Sequence, residues 1–175
     1  SVNIGLINEL KIICEYLNID IFKVIDLAST KNFGFQKFLP GPGLGGHCIP
    51  IDPYYLSWIS KKYGYKPKFI PLAGKINNSM PSWVIKKMLS KLKNIKGKIL
   101  ILGVAYKKNV DDDRESPSFE IMKILKKKNI NFEYNDPYFP SIKKGRQNKF
   151  KKKSIILTKQ NLKKFSGVLL ITDHD

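Results

Sequence analysis

Apolar positions at the start of the chain recur at spacings of three and four, through Val2, Leu6, Ile7, Leu10, Ile13 and Leu17. One face of an α-helix has that period, so the chain is expected to open already inside a helix, with no capping residue ahead of it. A second helix is expected from Ile21 to Ser29, after a turn around Asn18 and Asp20. Lys31 to Pro50 then carries Gly34, Pro40, Gly41, Pro42, Gly43, Gly45 and Gly46, a density of Gly and Pro that excludes regular structure and predicts a shaped loop. Helical pattern returns from Asp52 to Lys62, opened by Pro50 and Asp52. It returns again from Ser82 to Leu92, with Pro81 in the first turn, where a missing N–H costs nothing.

From Gly97 the period changes. Lys98 to Ala105 reads as a buried strand, and Asn131 to Asn135 as a second. Between them Ser116 to Lys127 reads as a helix capped by Ser116, with Pro117 in the first turn and Glu120 nearby. Ser154 to Thr158 and Gly167 to Thr172 are two further expected strands, with a short helix from Asn161 to Phe165 between them. The expected fold class is therefore α/β. An all-helical central domain covers residues 1–95, and a truncated Rossmann-like parallel sheet covers residues 96–175 and is incomplete on its C-terminal side. The boundary falls near Ile95 to Gly97, and no internal repeat is visible.

Composition narrows the classes. At 175 residues and 42% apolar content the chain can bury one moderate core or two small ones. Its longest apolar runs, such as Ile99 to Ala105, are too short to span a bilayer, and no leader pattern opens it. The expectation is a soluble, cytoplasmic protein without a membrane partner. The two cysteines give no disulfide framework; Cys14, on the apolar side of the first helix, reads as core. No metal site is expected. A net charge of +18 raises nucleic acid as a partner. Yet among 32 basic residues only Arg114 and Arg146 carry the guanidinium fork that phosphate and guanine recognition favours, so no nucleic-acid partner is expected. The lysine run from Lys143 to Lys153 reads as a solvated loop.

The stretch FLPGPGLGGHCIPIDPYYL, Phe38 to Leu56, carries the candidate chemistry. Glycines let backbone amides approach a ligand, and Cys48 follows them directly. A thiol just before a helix lies where unpaired N–H groups and the helix dipole favour an anion. A cysteine in an arbitrary place is a small buried residue, and the motif as a whole points the other way. The glycines are not a dinucleotide fingerprint, because they follow no strand.

This run resembles the active-site loop of the UDP-glucose/GDP-mannose dehydrogenase family, and within it the form found in 6-dehydrogenases of UDP-N-acetylmannosamine or UDP-N-acetylglucosamine. NIGLINELKIICEYLNID is similar to the family's central helix, INNSMPSWV to the helix after it, and LILGVAYKKNVDDDRESPSFEI to the first strand and turn of its UDP-binding domain. The resemblance implies that Cys48 is the nucleophile and that Asp52 orients or activates water. It implies substrate contacts from Phe38, Gly41, Gly43, Leu44, Gly45, Gly46, Tyr106 and Lys107, and a contact from Arg114 to the cofactor, NAD. It implies a UDP-N-acetylhexosamine substrate, a role in polysaccharide biosynthesis, and a homodimer formed through the central helix. Asp111, Asp112 and Asp113 read as a solvated turn or helix-entry charge, and Glu115 and Ser116 as capping residues.

Two departures from the family pattern stand out. Ile51 occupies the place before Asp52 where the broader family often has Lys, and the cofactor fingerprint, a catalytic glutamate, and the Lys and Asn of the central helix would all precede Ser1. The implied reaction is oxidation of a sugar C6 alcohol to the acid in two hydride transfers, through a thiohemiacetal and a thioester on Cys48. The other reading is a noncatalytic domain that binds a UDP-sugar or dimerises, inactive alone.

Overall fold

The computed structural model describes residues 1–92, 97–143 and 150–175. The expected boundary therefore lies, except for Gly97, outside the described residues, as does most of the lysine run. Four helices come first: α1 Val2–Tyr16, α2 Ile21–Ala28, α3 Cys48–Lys62 and α4 Phe69–Lys91. After them come β1 Lys98–Leu102, α5 Pro117–Lys127, β2 Phe132–Asn135, β3 Ser141–Ile142, β4 Lys152–Lys153, α6 Lys159–Leu162 and β5 Phe165–Leu170.

Helix α1 forms where its period predicts, but it buries a different face. Gly5, Asn8 and Cys14 are covered, while Leu6, Ile13 and Leu17 of the apolar stripe are exposed. The covered side meets α4. Ile7 and Leu10 pack instead with Cys14, Ile21 and Ile25, so α2 closes over one flank. Asp20 caps α2 by accepting the N–H of Phe22 at 3.0 Å.

Helix α4 corrects the sequence reading most. It begins at Phe69, not at Ser82, and Pro81 sits inside it rather than in its first turn. Pro71 lies in the first turn, where no donor is lost. Gly74 leaves room for α3: a Cβ there would stand 1.8 Å from the Tyr54 hydroxyl oxygen. Ala73, Asn77, Met80 and Pro81 are buried, which holds the helix together across the proline by packing rather than by hydrogen bonding. Farther along, Ile85, Met88 and Leu89 enter the second core with Ile99, Ile101, Phe119, Leu125 and Tyr134. One helix thus joins the two halves.

The sheet is parallel, in the order β2-β1-β5. Strand β1 alternates between the α5 core and the other face, and its central residues are fully buried. Helix α5 starts as expected: Ser116 accepts the N–H of Ser118, and Pro117 occupies the first turn. The chain leaves β1 for β2 on one side and returns to β5 on the other, so the topological switch point lies at the carboxyl ends of β1 and β5.

Four expected elements differ: β1 ends at Leu102 rather than Ala105, β5 runs Phe165–Leu170 rather than Gly167 to Thr172, and two others depart further. Residues 154–158 do not form a strand. Ile155 donates one N–H to the carbonyl of Tyr134, but the Asn135 side chain takes the Ile155 carbonyl, and the ladder stops after one rung. The pairing occurs earlier, in the short β3-β4 hairpin. Helix α6 starts at Lys159 instead of Asn161, because Thr158 caps it through the N–H of Asn161. Among the described residues no helix is long and apolar enough to cross a membrane, and no cluster of His, Cys, Asp and Glu could hold a metal ion.

Candidate active site

Two segments from different halves meet here. One is the glycine-rich loop leading into α3, and the other is the loop of residues 103–116 after β1. Gly46 is buried, with φ +86°, and donates its N–H to the Arg114 carbonyl at 2.8 Å. Gly45 and Gly46 lie flat on Tyr106: a Cβ would stand 2.6 Å from its Cβ at Gly45 and 2.9 Å from its ring at Gly46. No side chain larger than hydrogen fits between the two loops. Tyr106 is fixed from its own side by its N–H to the Asp112 carbonyl, 2.9 Å.

Cys48 is the first residue of α3, not a residue ahead of it, and it is exposed. Helical geometry begins there because the turn completed at Gly46 leaves His47 in the capping position; Pro50 falls in the first turn, where no donor is lost, and Pro53 lies inside the helix. Asp52 stands one turn further on, so the thiol and the carboxylate share a helix face. Both are exposed at the helix end whose N–H groups are unpaired.

Arg114 turns its guanidinium onto Asp112, with contacts of 2.6 to 3.0 Å. That bond from Arg114, opposed by partial burial, holds the Asp112 carboxyl below the usual range, and His47 adds to the effect. In return Asp112 raises Arg114, with smaller contributions from Tyr106 and Cys48. The thiol, the phenol and the guanidinium therefore share one electrostatic neighbourhood. Asp113 is raised, first by burial and then by Asp112 and Asp111 beside it. Ser116 caps α5 as expected, and Glu115 adopts φ +50° in the turn before it.

The remaining expected residues spread along the loops. Lys107 is exposed next to Tyr106, and Phe38 is half-buried at the entry to the glycine-rich loop. Gly41 donates its N–H to Asn8 Oδ1 at 2.9 Å, which fixes the start of that loop to α1. Gly43 and Leu44 line a cleft of about 380 Å³ between the halves, with Asn77, Pro81, Glu115 and Pro117. Cys48, Tyr106, Lys107 and Arg114 do not line it. The Asn77 carbonyl, deprived of its helical donor by Pro81, lies beside Gly43 there.

Asn8, Asn77, Asp136 and His174 escaped the sequence reading. The first two hold the glycine-rich loop and the last two hold the loop after β1. Asn135-Asp136-Pro137 carries a local signal, since Asp before Pro at a strand end favours an Asx turn. Asp136 does accept the N–H groups of Tyr138 and Phe139. Its longer reach is tertiary and leaves no local trace.

A helical layer packs a glycine-rich loop, with a thiol on the first residue of the helix after it, against the loop at the carboxyl end of β1, beside the switch point of a parallel sheet, and this defines the class of protein: an α/β fold with its candidate site where open parallel sheets bind nucleotides. The comparisons give the family. The central domain of the UDP-glucose/GDP-mannose dehydrogenase family matches residues 1–79, and the UDP binding domain of the same family matches residues 100–175; the chain belongs to that family. It is 38% identical over 141 residues to a UDP-N-acetyl-D-mannosamine dehydrogenase of Methanococcus vannielii, covering 79% of this chain and 32% of the relative. It is 39% identical over 143 residues to a UDP-N-acetyl-D-glucosamine 6-dehydrogenase of Salmonella typhi, covering 79% and 33%. Its structure superposes on a UDP-D-ManNAc dehydrogenase from Pyrococcus horikoshii with a TM-score of 0.81 at 27% identity, over 99% of this chain and 39% of that one. The chain thus spans about a third of the length of such relatives.

Proposed function

We propose that this chain supplies the thiol-bearing, substrate-holding part of an NAD-dependent nucleotide-sugar 6-dehydrogenase acting on a UDP-N-acetylhexosamine. The observation that carries the reading is the junction of Gly45 and Gly46 with Tyr106 and the Arg114 carbonyl, two residues before Cys48 opens α3. Lys107 and the loop amides would hold the pyrophosphate, and Phe38, Gly41, Gly43 and Leu44 would shape the rest of the substrate channel. Residues 1–95 and 96–175 would be the two domains.

Once the C6 alcohol has lost a hydride, the Cys48 sulfur adds to the aldehyde carbon and gives a thiohemiacetal. Loss of a second hydride turns that carbon into a thioester. Water, oriented by Asp52, releases the acid and returns the thiol. NAD, when bound, accepts the hydrides.

The N-terminus of α5 offers no dinucleotide cradle. There Pro117 lacks an N–H, Ser116 Oγ takes the Ser118 N–H, and the Ser116 carbonyl takes that of Phe119. Arg114 is the one contact to NAD that we assign to this chain. The 175 residues alone are therefore expected to bind a UDP-sugar without reducing NAD.

The exposed Leu6, Ile13 and Leu17 side of α1 would be covered by a second copy, giving the homodimer. The test of the chemistry is stoichiometry: a protein containing this chain at the full length of its relatives should form two NADH per UDP-N-acetylhexosamine oxidised. Cys48→Ala should abolish uronate formation. Full uronate production by that variant would refute the assignment.

A further inference from the structure

Asp136 and His174 lie beyond the carboxyl ends of β2 and β5, on either side of β1, whose own end feeds the Tyr106–Lys107 loop. Their side chains are almost wholly buried, 0% and 6% exposed. Asp136 Oδ2 accepts the N–H groups of Val104 at 2.6 Å and Ala105 at 3.0 Å, and faces His174 Nε2 at 3.1 Å. His174 Nδ1 accepts the N–H of Asn109 at 3.0 Å. Because that nitrogen is an acceptor, the ring proton resides on Nε2 and points at Asp136.

Both ring nitrogens are occupied, so His174 has no nitrogen left for proton transfer. What the pair does is fix backbone. Residues 104 and 105 hang on Asp136, residue 109 hangs on His174, and Tyr106 and Lys107 lie between those anchors. Neighbours reinforce both ends: Thr172 Oγ1 donates to the Ala105 carbonyl, and Asp175 receives the Asn109 side chain and the Lys108 ammonium. Asn109 itself sits at φ +58°, a conformation that Asn tolerates better than most residues and that needs outside support.

We infer that Asp136 and His174 are positioning residues that hold Tyr106 and Lys107 in place to receive an anionic nucleotide. For the identity of that anion, UDP, the inference rests on the reading given above. A buried acceptor pair that reaches two strands to hold both ends of a loop pre-orders that loop and removes the cost of ordering it when ligand binds. The segment it orders carries an exposed lysine next to the ring that seats the thiol loop.

The experiment uses the 175-residue chain, UDP as probe, calorimetric titration, and amide spectra of residues 104–109. His174→Phe removes the donor and the acceptor at similar size, whereas His174→Gln supplies an amide N–H and a carbonyl in their place. His174→Phe is expected to bind UDP about ten-fold more weakly, the equivalent of one lost buried hydrogen bond, and to shift or broaden the amides of Tyr106 to Asn109. His174→Gln should restore both.

Unchanged UDP affinity in His174→Phe overturns the inference, and so does lost affinity with unmoved loop amides. Failure of His174→Gln to restore either one does the same. If His174→Phe does not fold, Asp175→Ala, at an exposed position, loosens the same loop and must weaken UDP binding in the same direction. A wild-type chain that binds no UDP refutes the nucleotide-sugar reading instead, and the amide spectra then still decide whether the pair holds the loop.

Discussion

Asn8 of α1 and Asn77 of α4 are bonded side chain to side chain at 2.9 Å, both without solvent exposure, and Asn8 passes the contact on to the N–H of Gly41. Its amide donates to Asn77 while its oxygen accepts from the glycine-rich loop. Asn77 completes the chain by donating to the Ser1 carbonyl. Asn8→Ala leaves a half-buried N–H at Gly41 and a buried amide oxygen at Asn77 unpaired, and should cost about 2–3 kcal/mol of stability. Urea unfolding measures the loss, and faster exchange of the Gly41 amide locates it. The double variant Asn8→Ala/Asn77→Ala should lose less than the sum of the single ones, because both remove the same bond.

Gly46→Ala is expected to damage the site more than an alanine at another positive-φ glycine. Both Gly34, at φ +73°, and Gly46, at φ +86°, lie in the left-handed region, but a Cβ at Gly34 meets open space. Gly34→Ala should therefore cost about 1 kcal/mol, the backbone term alone. At Gly46 the Cβ collides with the Tyr106 ring, and roughly 3 kcal/mol is expected as the two loops separate. The comparison is made by denaturation of both variants. Equal losses would show that the loops do not touch in solution.

How much of this was legible depended on whether the cause was local. Ser116, Pro117 and Glu120 announce α5 because capping is settled within four residues. The glycine loop announced itself by composition, and its motif carried the family. Helix α4 did not, because Pro71, Gly74, Asn77, Asn78 and Pro81 look like punctuation when read in sequence. In the fold three of them have a tertiary reason: Gly74 admits Tyr54, Asn77 binds Asn8, and Pro81 is buried beside Gly43. The contact of α1 with α4 is hidden for a related reason. It is made by Gly5 and Asn8, which no apolar pattern marks.

Leu6, Ile13 and Leu17 of the stripe that pattern did mark remain exposed, and the proposed homodimer makes them testable. Leu6 is 58% exposed, so Leu6→Glu should change the stability of a single chain by no more than about 0.5 kcal/mol. In a dimer the same change buries two unpaired carboxylates and should shift sedimentation to the monomer. A wild-type chain that sediments as a monomer at tens of micromolar would remove the dimer from the proposal.

Stability should fall at both ends of the pH scale for reasons found in two neighbouring residues of β2 and its exit. Burial pushes the Tyr134 phenol up to about 12, while its O–H donates to the Phe139 carbonyl at 3.0 Å. The folded value lies above the unfolded one, so this contribution is complete below about pH 10 and disappears as pH rises from there through about 12. Asp136 works in the opposite direction. Burial opposes its charge, but the N–H groups of Val104, Ala105 and Tyr138, with His174, outweigh it and hold the carboxyl below its ordinary value. Its contribution is complete above the usual carboxylate range and is lost as pH falls below it. Tyr134→Phe should cost about 1 kcal/mol at neutral pH and flatten the alkaline limb alone, whereas Asp136→Asn should flatten the acid limb alone. Chemical denaturation from acid to alkaline pH separates them: Asp136→Asn should approach the wild type at the acid end, whereas Tyr134→Phe, which has no phenol to ionise, should overtake it at the alkaline end. An alkaline limb that survives in Tyr134→Phe would assign it to the lysines that give the chain its charge.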